Sequence, residues 1–292
     1  MPKKQQTLLG ILLLLLLCLI GGWLWLTMQP TITKTSQPVK QQRVIVTTNA
    51  QAQIFNQLAI PLVGAPTPGE NQTLPKRYVH LPKVGNHVAP NLEKMANLNP
   101  DMVYLDHALV SDYQTKLTSA HIKTTALNVD TLPDLITSIH QVGKTFHRQT
   151  KADKLVKQLN LPTVHTTTHR KVALLVGMPG GSFLVGTQHS YVGDLITRAG
   201  GTVIGSGDGA YTTMNVEQIA SAQPDVIITM AHAMPDSVFK SFNTLFNQSN
   251  WQALPAVHNQ HIYRATEPTF SMTANLNAPQ AYHQLKVWLG TN

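Results

Sequence analysis

One cysteine in 292 residues cannot make an internal disulfide. It is Cys18, inside an apolar N-terminal run, so the rest of the chain holds neither a disulfide nor a thiolate nucleophile. Stability must come from packing, for which 42% hydrophobic residues over a length suited to two domains is enough. Basic runs and aromatic-interleaved basic patches are missing too, which removes the usual signs of nucleic-acid binding. The formal charge is +8, and without Lys3 and Lys4 it is 20 basic residues against 14 acidic ones, an excess suited to an anionic ligand or a negatively charged envelope. There is no G-x-S-x-G nucleophile elbow, GSFLVG at Gly181 lacking it, and no cluster of carboxylates of the glycosidase kind. The thirteen histidines show no compact metal-ligand spacing.

What is present is an internal repeat. Asn91, Glu93, Pro100 and Asp101 recur 124 positions later as Asn215, Glu217, Pro224 and Asp225, within NLEKMANLNPDMV and NVEQIASAQPDVI. The apolar places agree as well, Leu92 with Val216, Met95 with Ile219 and Val103 with Ile227. A period this long, with one copy in each half, predicts two similar α/β lobes rather than a solenoid of roughly 20- to 50-residue repeats. Between two lobes lies a cleft, where small ligands bind.

The first 30 residues read as a targeting segment. Lys3 and Lys4 precede an uncharged run from Leu8 to Met28, long enough to span a bilayer, with the lysines holding the N-terminus inside. An uncleaved signal anchor over 1–30 is expected, with the rest of the chain outside. A cleaved signal peptide is the rival, but no A-x-A-like site is present, and lipidation at Cys18 would follow Leu17 where processing sites carry a small residue. Residues 31–42, rich in Thr, Gln, Lys and Pro, form a tether.

The N-terminal lobe is expected over 43–131. Val44 to Val46 is a buried strand, and Thr47, Thr48 and Asn49 cap a helix carrying Ile54, Phe55 and Leu58. A short apolar strand at Pro61 to Gly64 and a Pro- and Gly-rich loop from Ala65 to Lys83 precede the first repeat copy. That copy reads as a helix near Asn91 to Leu98, a Pro-Asp turn and the strand Met102 to Leu105. Helical spacing from Leu132 to Leu159 predicts a connector, with the interlobe segment set at 132–170, and a single crossing helix would make a stiff hinge. Pro162 and the Thr166 to Thr168 run stop that helix early. The C-terminal lobe, 171–292, opens with the strand Val172 to Val176 and ends in a helix near Pro279 to Leu289. Alternating strands and helices predict an α/β fold of two Rossmann-like lobes with parallel sheets.

LPKRY at Leu74, VGNHVAPN at Val84, GSFLVGTQHSYVGDL at Gly181, AHAMP at Ala231 and TAN at Thr273 carry a specific likeness. Over Arg43 to Trp288 the chain resembles the haem-binding substrate-binding proteins of Isd-type iron uptake, within the siderophore and cobalamin receptor class of ABC importers. The resemblance implies a non-enzymatic, monomeric receptor on the outer face of the membrane. It would capture haem, with a cell-surface haem donor and an ABC permease as partners. That family grips haem iron between a first-lobe methionine and a second-lobe histidine. His232 in AHAMP falls on the histidine position, just past the strand Val226 to Thr229, where the loops of a parallel sheet meet a ligand.

The methionine position is Val88, which cannot bind iron. Either His87, one residue earlier, takes its place, giving bis-histidine coordination, or the iron stays five-coordinate or takes water. His107 is a further candidate, though Asp106 beside it allows a simple surface pair. Met234, Met272, Phe270 and Tyr191 are candidates for the walls around the macrocycle, with a core edge as their other reading. The helix start after Thr47 and Thr48, with Lys76 and Arg77, would receive the propionates. Glu93 and Glu217 match the acidic residues, one per lobe, that contact permease arginines in this class, and they also compensate helix dipoles. A siderophore or cobalamin receptor is the alternative. A manganese or zinc receptor, using His87, His107, His232 and an acid from the Glu267 loop, is a further one.

Overall fold

The computed structural model describes residues 42–291 apart from 70, 87–88, 108–109 and 164–169. The anchor segment, Cys18 and all but the last residue of the tether lie outside that set. Among the described residues no helix is long and apolar enough to cross a membrane.

Residues from 42 onward form one compact unit holding two sheets. In the first, β1 (Val44–Val46), β2 (Met102–Asp106) and β3 (Thr124–Leu127) lie side by side, all parallel. Around them run α1 (Asn49–Gln57), α2 (Leu92–Asn97) and α3 (Val110–Ser119). The strand expected at Pro61 to Gly64 is reduced to one bridge between Ile45 and Gly64, with the Val63 N–H donating to the Val44 carbonyl at 2.8 Å. Pro61 has no N–H to extend a ladder.

The second sheet is built on β4 (Lys171–Gly177), β5 (Phe183–Gly186), β6 (Thr202–Val203), β7 (Tyr211–Thr212), β8 (Val226–Ala231) and β9 (Ile262–Arg264). Its order is β7-β5-β4-β8-β9, with β6 also beside β4. The β4–β8, β8–β9 and β4–β6 pairs are parallel, whereas β5 is antiparallel to both β4 and β7, so this sheet is mixed where an all-parallel one was expected. The cause is local: Gly180 and Gly181 both take positive φ, folding the chain back on β4 as a hairpin. Helices α6 (Tyr191–Arg198), α7 (Val216–Ala222), α8 (Pro235–Phe246), the short α9 (Ser249–Gln252) and α10 (Pro255–His258), and α11 (Ala278–Leu289) complete the lobe.

Strand periodicity sorts the core into three clusters. Ile45, Val103 and Leu105 face outward against Met95 of α2 and Leu117 of α3. Ala173, Leu175 and Ile227 face outward against Val238, Phe242 and Trp251. Their neighbours Val44, Val46, Leu174, Val176, Ile228 and Met230 point the other way, into a single cluster that holds residues of both sheets. Burial on both faces is what the near-continuous apolar strands require.

The connector fills that shared core. It is two helices, α4 (Leu132–Thr145) and α5 (Gln149–Leu159), rather than one. The chain turns at Phe146 to Arg148, where His147 has φ 53°, and neither glycine nor proline marks the place. A Cβ on Gly143 would lie 2.5 Å from the Ala152 Cβ, so the glycine lets the helices approach closely. Phe146 stacks edge-on to Phe55, with centroids 5.6 Å apart, which ties the connector to the first sheet.

The repeated residues have distinct structural duties. Asn91 and Asn215 are N-caps, accepting from the Lys94 and Gln218 N–H groups at 2.9 and 2.8 Å. Asp101 and Asp225 each accept, at 2.8 Å, from a backbone N–H at the start of their lobe's first strand, that of Arg43 just before β1 and that of Lys171 opening β4. Such charge-assisted bonds align the β1–β2 and β4–β8 pairs at their starting ends.

Candidate functional site

The ends of parallel strands where loops gather are those of β2, β3 and β8. His232 stands just past β8. Its backbone N–H donates to the Gly177 carbonyl at 3.0 Å, fixing the turn to the end of β4, while its side chain is exposed. Two residues on, Met234 has φ 48° and is 59% exposed, and Pro235 opens α8 immediately after it. A bulky residue held in the left-handed region with its thioether in solvent is uncommon, and such strain marks a constrained loop. The same turn thereby carries an exposed imidazole and an exposed thioether.

His107 directly follows β2. Its Nδ1 is 3.3 Å from the Asp130 Oδ2, with both side chains about half exposed. Burial raises the Asp130 carboxyl above its ordinary value, partly offset by His107 and reinforced by Asp106 and Asp134. Across the lobe boundary, burial and then the Asp130 charge push the Tyr211 hydroxyl up to about 12. That hydroxyl reaches the Met272 carbonyl at 3.4 Å and its Sδ at 3.8 Å. His107 thus meets Asp130 in the first lobe, and Tyr211 meets Met272 in the second.

Several expected residues are placed elsewhere. Tyr191 has no exposed surface, because α6 turns Tyr191, Val192, Leu195 and Ile196 inward. It is a core residue rather than a cleft wall. Phe270 is buried too, stacked on Trp288 with centroids 5.3 Å apart.

Thr47 and Thr48 are also buried and spent on the fold. Thr48 forms a capping box with Gln51, and the Thr47 hydroxyl donates to the Tyr104 carbonyl at 3.0 Å. The Gln51 Oε1 accepts from the Thr47 and Thr48 N–H groups at 3.0 and 3.3 Å, so their amides are not on offer to an anion. At this helix start, the Asn49 and Ala50 amides are the ones without a partner among the described residues. His87 and Val88 lie outside the described residues. Lys76 and Arg77 are exposed on a 3₁₀ turn.

Two further contacts had no local sequence signal. The Gln72 amide donates to both oxygens of Glu267 at 2.9 Å, and the Ala274 N–H donates to the Val129 carbonyl at 2.7 Å, both joining the lobes. Glu267 is therefore engaged by an amide. Among the described residues no three His, Cys, Asp or Glu side chains converge as a bare metal ion would require. A surface cavity with about 790 Å³ of empty volume, lined by Gln188, Thr197, Thr202 and Gly205 among others, includes none of the expected site residues.

Burial raises the Glu267 carboxyl above its ordinary value, and the Gln72 bond only partly offsets this. The folded chain then holds the Glu267 proton more tightly than the unfolded chain does. Stability from this group accordingly falls as pH rises from the ordinary carboxylate value through the raised one. Glu267→Gln removes that component, while Asp130 keeps its own. Across about pH 4 to 7 the thermal midpoint of the variant should rise relative to that of the unaltered chain. A midpoint difference that does not change with pH would contradict this.

Together, the paired α/β lobes and the loops gathered at their strand ends place the chain among binding proteins, and the sequence profile of the periplasmic binding protein family matches residues 44–269. The chain belongs to the periplasmic binding protein family. Among its relatives is the high-affinity heme uptake system protein IsdE of Staphylococcus aureus, 34% identical over 266 residues, spanning 88% of this chain and 90% of that one. The crystal structure of S. aureus IsdE complexed with heme aligns with a TM-score of 0.77 over 85% of this binding protein and 98% of that chain. An ABC transporter substrate-binding protein from Listeria monocytogenes EGD-e, also 34% identical, aligns with a TM-score of 0.77 over 87% and 100% of the two chains. At 21% identity, the heme-binding BhuT structure, TM-score 0.70, speaks for the fold alone.

Proposed function

We propose that this binding protein captures haem between its lobes on the outer face of the membrane and delivers it to an ABC permease, performing no chemistry itself. The observation that carries this reading is His232. It is an exposed imidazole on a turn pinned to Gly177, at the sheet end where ligands meet a parallel fold, with the exposed Met234 thioether on the same turn. Imidazole is a strong axial ligand for haem iron, and exposed sulfur is a soft contact for a porphyrin face. The 34% identity to a heme uptake protein over most of both chains supports the same ligand. Met272 joins the apolar contacts, while Lys76, Arg77 and the α1 amides of Asn49 and Ala50 supply donors for the propionates.

Glu93 and Glu217 are the permease contacts in this reading. Each is exposed at the second position of its helix, behind its Asn cap, and neither makes an ion pair among the described residues. The chain acts as a monomer held by its N-terminal segment as a membrane anchor, and a surface haem donor loads it.

The test is a haemin titration of the full-length chain in detergent micelles. A Soret band from axial ligation that saturates at one equivalent is expected. Binding of a ferric siderophore or cobalamin with no haemin-induced band would overturn the reading in favour of a sister receptor.

A further inference from the structure

We propose that His107 is the first-lobe ligand to the haem iron and that Asp130 orients it, so that the iron is held by two histidines, His107 and His232. This rests on the haem reading above and deepens it.

The geometry has three parts. First, His107 directly follows β2 as His232 directly follows β8, and those strands are the equivalent members of the two repeat copies, each reached through an Asn-capped helix and a Pro-Asp turn. Second, Asp130 accepts from the His107 Nδ1 at 3.3 Å. A carboxyl oxygen at Nδ1 favours the tautomer with its proton there and leaves the Nε2 lone pair for a metal, the arrangement that metal-ligating histidines ordinarily show. Third, the pair stands at the lobe boundary, because Val129, the residue before Asp130, accepts from the Ala274 N–H of the second lobe at 2.7 Å. The His107 side chain is 54% exposed, so its free nitrogen can be reached from outside.

Pairing alone would not single it out. His140 and Asp153 also approach to 3.5 Å, but they sit on α4 and α5 of the connector, away from any strand end, and read as a surface pair. His107 combines the carboxylate with the position.

Electron paramagnetic resonance and absorption spectra of the full-length chain loaded with haemin test this directly. The unaltered chain should be low-spin and six-coordinate. His107→Ala should convert it to a high-spin species that still binds haemin through His232, and His87→Ala should leave the low-spin spectrum in place. Asp130→Asn retains the shape but removes the charge, so it should keep two histidine ligands and raise the haem reduction potential, a change that a purely structural role would not produce. A low-spin spectrum that survives His107→Ala but is lost in His87→Ala overturns the assignment, as does a five-coordinate unaltered chain. A chain that shows no haemin-induced band at all overturns the haem reading first, and this inference with it.

Discussion

Replacing His232 with alanine should abolish the Soret spectrum of the haemin complex or shift it markedly, and should weaken haemin binding on the order of 100-fold, ~2.7 kcal/mol. The size follows from what is lost: a coordinate bond to iron, where even partners that only orient a ligand change metal affinity by roughly 10- to 100-fold. The fold should be unaffected. The imidazole is exposed, and what pins the turn is the His232 backbone N–H on Gly177, which alanine keeps. A folding stability within about 0.5 kcal/mol of the unaltered chain is therefore expected alongside the spectral change. An unchanged spectrum in His232→Ala removes His232 as the ligand, whatever else the chain binds.

Reversing both acids, Glu93→Lys with Glu217→Lys, should separate capture from delivery. Haemin titration should be unchanged, because both side chains project from exposed first turns and take no part in the contacts around His107 or His232. Haemin-dependent growth should be lost in cells where this chain is the only haem receptor. Close charge pairs across an interface contribute from about 1.5 kcal/mol upward, so each reversal should weaken docking at least about tenfold and the pair on the order of 100-fold. The two acids occupy matching positions in two similar lobes, as contacts to a two-fold symmetric partner would need. Growth equal to that of the unaltered chain would exclude the docking role. The helix dipoles would then account for both residues.

These two predictions differ in how legible their residues were. Capping chemistry acts within three residues, so Asn91, Asn215 and Thr48 could be read as caps from spacing alone, and the structure makes the same bonds. The strands β1, β2, β4 and β8 were legible because their apolar residues run without interruption. Asp101 and Asp225 were legible as a repeat but not as parts of the sheets, since their partners Arg43 and Lys171 lie 58 and 54 residues away. Tyr191 was expected near the ligand from the resemblance of the run around it, and the structure leaves it no exposed surface. The helical face of α6 turns it inward. Thr47 and Thr48 were assigned to the ligand on the strength of a helix N-terminus whose amides Gln51 had already taken. The break between α4 and α5 carries no glycine or proline, and tight packing of Gly143 on Ala152 is a tertiary event.

From residue order alone come the α/β class, the two-lobed plan and the family, because helix caps, strand periodicity and a 124-residue repeat are written in near neighbours and in exact recurrence. Three-dimensional packing settled three other matters: that one apolar core joins both sheets, that Gln72 and Glu267 link the lobes, and that His107 rather than a neighbour has a carboxylate at its back. Apolar burial carries no direction of its own, so it drives the sheets together without naming which distant polar groups will meet. Those pairings, 23 residues apart for His107 and Asp130 and 195 for Gln72 and Glu267, exist only once the core has closed.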